Sequence, residues 1–199
     1  SFGAEDVVVI DLLVKINPKV TIFTLDTGRL NEETYEVMDR IRQKYGVSIK
    51  SYFPDKERVE KLEREKGFYS FRQSIENRKE CCGIRKVEPL NRALGELDAW
   101  ITGLRREQNV TRANTPKVEN DTDHPPLVKI SPLADWTEAQ VMEYIEQYKV
   151  PVNPLHKKNY PSIGCAPCTR AIKPGEDPRA GRWWWENPEH KECGLHRPR

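Results

Sequence analysis

No stretch of the sequence is apolar over the roughly 20 residues that a membrane-crossing helix needs, so an integral helical membrane protein is not expected. Charge of one sign is lacking as well. The chain has 33 Lys and Arg against 31 Asp and Glu, a formal net charge of +2 and too little for the broad basic face that nucleic-acid binding requires. Cysteine is scarce and odd in number, five in 199 residues. A disulfide framework would use an even set in a smaller chain, and adjacent cysteines would close a strained ring. With no secretory leader in view, the thiols are expected to meet the reducing cytoplasm. What is present is 37% hydrophobic and 32% charged residues, read as one domain spanning 1–199 with a core of ordinary size.

Four of the cysteines come in two pairs, Cys81-Cys82 in NRKECCGIRK and Cys165-x-x-Cys168 in PSIGCAPCTR. Soft ligands limit a shared centre to zinc, copper(I) or iron-sulfur. A structural zinc site takes each pair with two to four residues between the thiolates, which Cys165 and Cys168 satisfy and Cys81-Cys82 does not. Neighbouring side chains on a helix diverge by roughly 100°, so two adjacent thiolates reach separate irons more easily than one small ion. The spacing therefore favours a four-iron cluster over zinc, against the alternative of unrelated buried thiols. Cys193 in KECGLH is left over for chemistry.

The rest of the chain alternates helical and strand-like segments. Ser1-Phe2-Gly3-Ala4-Glu5-Asp6 reads as a loop feeding a helix N-terminus, where backbone N–H groups bind phosphate-like anions. In a nucleotide-binding α/β domain such a loop follows a buried strand, expected to precede Ser1 in the natural protein. Val20 to Leu25 predicts a buried parallel strand with Asp26-Thr27-Gly28-Arg29 at its C-terminal end, where open α/β sheets bind ligands. LDTG occurs once and leads into a helix, which sets aside an aspartic-protease reading. Leu30 to Tyr45 predicts a helix stopped by Gly46, and Ser48 to Phe53 a second strand. Asp55 to Lys66 predicts an exposed helix laced by pairs such as Glu57 with Lys61, with no sign of chemistry. Cys82 leads into a helix that carries Arg85 and Lys86, cations that would offset a thiolate cluster. Ala99 to Thr102 predicts a strand ending near Arg105 and Arg106, which meet either phosphate or Glu107. Thr111 to Pro126 predicts a flexible loop and candidate lid, Leu127 to Ile130 a last strand, and Thr137 to Gln140 a capping box that opens a packed helix. Beyond Pro151 the chain is Pro-rich, basic and irregular, and Trp183 to Trp185 reads as a hinge, a packing anchor or a docking element.

The motifs SFGAEDVV, LDTGRL, ECCGIRK, TGLRRE, PLADWT, GCAPCTRA, GRWWWE and KECGLH, in this order, resemble the assimilatory, iron-sulfur-containing adenylyl-sulfate reductases of the PAPS/APS reductase family. The resemblance spans essentially the whole chain. It implies an α/β fold with a parallel sheet of the adenine-nucleotide alpha-hydrolase-like, ATP-pyrophosphatase-like kind, followed by an irregular C-terminal segment. It implies one 4Fe-4S cluster on Cys81, Cys82, Cys165 and Cys168. Substrate contacts fall on Ser1, Phe2 and Gly3, on Leu25, Asp26, Thr27 and Gly28, on Lys86, Gly103, Arg105 and Arg112, and on Arg179 and Arg182.

By the same resemblance, Cys193 on the tail from about residue 187 attacks the sulfur of adenosine 5′-phosphosulfate. AMP leaves, an S-sulfocysteine remains, and thioredoxin releases sulfite. His196 matches an active-site position. An unperturbed thiol is only ~3% thiolate at pH 7, and Lys191, His196 and Arg197 stand close in sequence to raise that fraction. The expected partners are adenosine 5′-phosphosulfate and thioredoxin, with neither nucleic acid nor membrane, and homo-oligomerisation is left open. The alternatives are a reductase of the 3′-phosphorylated substrate, a tRNA-thiolating iron-sulfur enzyme of the same fold and a zinc-stapled binding module.

Overall fold

The computed structural model describes residues 1–108 and 112–187. Helix α1 (Ala4–Ile16) starts after Gly3 and is buried along Val7, Val8, Val9 and Ile10, as a helix apolar on most sides must be. Strand β1 (Ile22–Leu25) follows, then α2 (Glu32–Tyr45), which stops at Gly46 in the left-handed region at φ 65°. Strand β2 (Ile49–Tyr52) lies parallel to β1, with Ile22 opposite Ile49 and Leu25 opposite Tyr52.

Helix α3 (Lys56–Lys66) is capped by the Asp55 side chain, which accepts from Arg58 N–H. Its exposed ion pair runs from Lys56 to Glu60 at 3.7 Å, one register away from the expected Glu57 and Lys61. Helix α4 (Ile75–Cys82) is capped by Ser74 and continues through a π-helical turn, Gly83–Val87, into α5 (Glu88–Leu94). Strand β3 (Ala99–Ile101) pairs parallel with β5 (Val128–Ile130). The expectation of a flexible loop over Thr111 to Pro126 is corrected at Val118–Asn120: β4 (Val118–Asn120) pairs antiparallel with β5, so this stretch gives the sheet an added strand. Helix α6 (Glu138–Gln147) opens with the expected box, Thr137 accepting from Gln140 N–H and Gln140 from Thr137 N–H. Val141 and Ile145 are buried as expected, whereas Tyr148 is exposed.

The main core gathers α1, α2 and α6 around Val7, Val8, Val37, Ile41, Leu133 and Val141. A second core beside β3 joins Leu90, Leu94, Trp100 and Leu127. Among the described residues no helix is long and apolar enough to cross a membrane.

Inside the first core, α1 carries a charge. Asp11 is buried and accepts from Tyr45 Oη at 2.7 Å, Tyr144 Oη at 2.6 Å and Lys15 Nζ at 2.6 Å, so one carboxylate ties α1 to α2 and α6. Burial pushes its pKa up, but the bonds from Lys15, Tyr144 and Tyr45 outweigh burial and hold it below the ordinary carboxylate value. A depressed folded value adds stability that is fully present above the unfolded pKa of about 3.9 and is lost as pH falls through the folded value. Thermal midpoints should therefore drop on acidification below about pH 4. Asp11→Asn should lower the midpoint at pH 7 and flatten that acid dependence, which thermal unfolding at pH 7 and pH 3.5 would measure. An equally steep acid dependence in the variant would remove Asp11 as its source.

Candidate active site

The C-terminal ends of β1 and β3 and the first turn of α1 enclose a cleft of about 760 Å³, within the size range of small-molecule sites. Close approach of the β3 end to α1 depends on Gly103, where an added Cβ would lie 2.7 Å from Asp6 Oδ1 and 2.8 Å from Glu5 Cβ. Ser1, Phe2, Gly3, Leu25, Thr27 and Lys86 line the cleft, and so do Gly103, Arg105, Arg112, Arg179 and Arg182.

Two predicted residues stand outside that lining. Asp26 is buried and accepts from Gly28 N–H and Tyr35 Oη, both at 2.9 Å, which fixes the turn that Gly28 closes at φ 70°. Arg105 lines the cleft but is only 5% exposed, and its guanidinium is committed to Glu5 at 2.9 Å and Glu107 at 3.0 Å. The Glu107 pairing weighed against phosphate contact forms, between a buried Arg105 and an exposed Glu107. Arg106 reaches the Thr115 carbonyl and Asp135.

The LDTGR loop also reaches the cysteines. Thr27 Oγ1 lies 3.3 Å from Cys165 Sγ, and Ala166 N–H donates to the Arg29 carbonyl at 2.8 Å. Cys81, Cys82, Cys165 and Cys168 all line one small cavity, completed by Arg29, Phe71, Arg78, Arg85, Lys86 and Trp183. Helix α4 delivers the first pair at its end, and a short turn, Ala166–Cys168, presents the second. The lining holds four soft donors, four cations and no carboxylate, a set that suits an anionic thiolate centre. Among the described residues no three His, Cys, Asp or Glu side chains gather closely enough to hold a single metal ion. The thiols thus face a shared space without closing on a point.

Acidity differs among these thiols. Burial pushes Cys165 up, but Lys86, the Thr27 hydrogen bond, Arg182 and Arg85 outweigh it and hold the thiol below its ordinary value. Burial raises Cys168 to about 12, with the charge of Cys165 adding to the effect, and burial also raises Cys81.

The basic C-terminal stretch is folded onto this cavity as far as residue 187. Arg182 pairs in a β-bridge with Thr169, and Trp183 N–H donates to the Cys168 carbonyl at 3.1 Å. Gly164 and Gly181 let the chain close: a Cβ on Gly164 would collide with the Arg182 guanidinium, and one on Gly181 with the Arg170 carbonyl. Of the three roles considered for the tryptophans, Trp183 is a packing anchor. It is 1% exposed, with Arg78 and Arg182 lying 4.9 and 4.6 Å over its ring.

Sequence reading missed several partners. Glu63, on a helix judged free of chemistry, bridges Arg29 at 2.9 Å and Arg85 at 2.6 Å. Arg85 in turn donates to the Thr27 carbonyl at 2.7 Å, so α3 braces the ligand loop against the cysteine helix. Arg78 and Glu186 form a buried two-point pair at 2.9 and 2.8 Å. His156, on a short turn after Asn153, lines the cleft. No periodicity marks any of these, since each depends on segments far apart in sequence. Cys193 and His196, with Lys191 and Arg197, lie outside the described residues.

Residues 1–171 match the family model of the phosphoadenosine phosphosulfate reductase domain. The chain is 53% identical to the adenosine 5′-phosphosulfate reductase of Burkholderia cepacia, covering 98% of this chain and 78% of that protein. It is 52% identical to the enzyme of the same name from Allochromatium vinosum, over 99% of this chain and 77% of that one. Among solved structures, phosphoadenylyl-sulfate reductase from Candida auris in its phosphate complex superimposes with a TM-score of 0.71 at 28% identity, covering 86% and 80% of the two chains. FMN adenylyltransferase from Candida glabrata shares the fold alone, with a TM-score of 0.56 at 16% identity over 96% and 65%.

Proposed function

This chain belongs to the phosphoadenosine phosphosulfate reductase family, and we propose that its reaction is the reduction of adenosine 5′-phosphosulfate to sulfite and AMP in sulfate assimilation. The observation that carries the reading at the level of the site is Lys86, which lines both the nucleotide-sized cleft and the four-cysteine cavity. A cation there faces a phosphosulfate on one side and a thiolate centre on the other.

Cys81, Cys82, Cys165 and Cys168 would hold a 4Fe-4S cluster, whose thiolate charge Arg29, Arg78, Arg85 and Lys86 offset. Such a cluster supplies redox-capable, anionic iron-sulfur chemistry beside the substrate. Lys86, Arg179 and Arg182 bind and orient the phosphosulfate and neutralise the charge that gathers on the AMP phosphate as it leaves. The Cys193 thiolate forms a bond to the substrate sulfur while the bond from that sulfur to the phosphate oxygen breaks, and AMP takes the electron pair. A thioredoxin thiolate then attacks Cys193 Sγ and expels sulfite, and its second thiol restores the Cys193 thiol. His196 assists at the same centre, and a reducing cytoplasm keeps all five cysteines available.

The test is anaerobic purification followed by metal analysis and assay with adenosine 5′-phosphosulfate and thioredoxin. About four iron and four acid-labile sulfide per chain, with sulfite and AMP formed in equal amounts, are expected. Zinc without sulfide would sink the cluster, and intact iron-loaded protein that forms no sulfite would sink the reaction.

A further inference from the structure

Glu63 stands on α3 and lines neither the cleft nor the cysteine cavity. Its Oε1 accepts from Arg29 Nη2 at 2.9 Å and from Arg85 Nη2 at 2.6 Å, so one carboxylate oxygen holds two guanidiniums. Both arginine side chains line the cysteine cavity, and they are 17% and 6% exposed. Two like charges set this close and largely out of water repel unless a counter-charge stands between them. Glu63 supplies that charge.

What the two arginines hold is the loop between β1 and α2. Arg85 Nη1 donates to the Thr27 carbonyl at 2.7 Å, and Arg29 N–H donates to Thr27 Oγ1 at 3.2 Å. The Arg29 carbonyl accepts from Ala166 N–H at 2.8 Å, which joins the turn of the second cysteine pair to the same loop. Thr27 is buried, and it lines the cleft. An unbroken series of hydrogen bonds therefore runs from Glu63 through Arg85 and Arg29 to a wall of the nucleotide cleft. Side chains one or two bonds removed from a ligand fix the groups that touch it.

We propose that Glu63 is a positioning residue for nucleotide binding, holding the Thr27 wall of the cleft in place through Arg85 and Arg29. This role goes beyond the reductase reading and rests on it only for the assignment of the cleft to an adenine nucleotide. Glu63 makes no contact with substrate, and no proton or electron passes through it. Without its carboxylate, Arg29 and Arg85 move apart, Arg85 releases the Thr27 carbonyl, and the wall loses the position that binding needs. Charge and reach both enter. Gln keeps an acceptor at the same distance, whereas Asp keeps the charge but falls one methylene short of bridging two partners.

Binding of AMP to the metal-loaded full chain, measured by calorimetry well below the thermal midpoint, tests this. Glu63→Ala should bind AMP about 10-fold more weakly than the wild-type protein, the scale of effect when a supporting contact one step from the ligand is lost. Glu63→Gln should lose only about 3-fold, because it still bridges both guanidiniums, and Glu63→Asp should resemble Glu63→Ala. In turnover, Glu63→Ala should raise KM for adenosine 5′-phosphosulfate about 10-fold with kcat changed by less than about threefold, since the wall holds ground state and transition state alike. A merely structural carboxylate would lower the thermal midpoint and leave KM and the AMP affinity of the folded protein unchanged. If Glu63→Ala binds AMP as the wild-type protein does, or if Glu63→Gln is as impaired as Glu63→Ala, the proposal falls while the reductase reading stands. If the wild-type protein binds no adenine nucleotide and releases no sulfite, the reductase reading itself fails. Should Glu63→Ala not fold, Glu63→Asp and Glu63→Gln decide, and equal AMP affinities in those two would overturn the proposal.

Discussion

Cys193→Ser is expected to keep the fold, the metal content and nucleotide binding, and to lose turnover by on the order of 10⁴-fold or more. The size follows from the role. A serine hydroxyl at neutral pH is almost wholly protonated, and alkoxide attack on the substrate sulfur would leave a sulfate ester that a dithiol cannot reduce. No other cysteine is placed to substitute, because Cys81, Cys82 and Cys165 are buried and Cys168 shares their cavity. The decisive measurement uses radiosulfur-labelled adenosine 5′-phosphosulfate without reductant. Label should remain on the denatured wild-type chain, leave when thioredoxin is added, and be missing from Cys193→Ser. Normal sulfite release by the serine variant would overturn the covalent route.

The second large effect concerns stability. Glu186→Gln preserves shape and one acceptor but removes the charge that faces Arg78, in a pair where the two side chains are 1% and 4% exposed. Breaking one partner of a buried pair leaves the other as an uncompensated charge, at a cost of about 3 to 5 kcal/mol. In a chain of this size that corresponds to a fall in thermal midpoint of about 10 °C. Arg78 lies one turn before Cys81 and lines the cysteine cavity, and Glu186 follows the buried Trp183, so the same change should loosen iron retention. The double replacement Arg78→Met with Glu186→Leu should recover much of the loss, because the cost lies in the unpaired charge rather than in the missing pair. A midpoint within about 2 °C of wild type for Glu186→Gln would show that the charge is not held out of water as its burial implies.

Helices and strands were legible where one local cause decides them. The run VTIFTL, the αL stop at Gly46 and the Thr137 to Gln140 box each depend on residues within one turn or one strand, and each forms as expected. The lid reading failed at β4 because Val118-Glu119-Asn120 is too short and polar to announce a strand. It becomes one because β5 offers it an unpaired edge. Asp26 and Gly28 stand at a strand end, and only Tyr35, nine residues on, shows that the Asp26 carboxylate also accepts a hydrogen bond from α2.

The sequence by itself determined the alternation of elements, the two cysteine pairs and, through motif order, the family. These are carried by residue type and short spacing, which survive without coordinates. Only the tertiary structure decided that Lys86 stands on both the cleft and the cysteine cavity, and that Glu63 braces the ligand loop. It also decided that Arg78 is matched by Glu186. The physical reason is that a charge or lone pair takes its role from whatever the fold brings within a few ångströms, and those partners come from segments that the chain order keeps far apart.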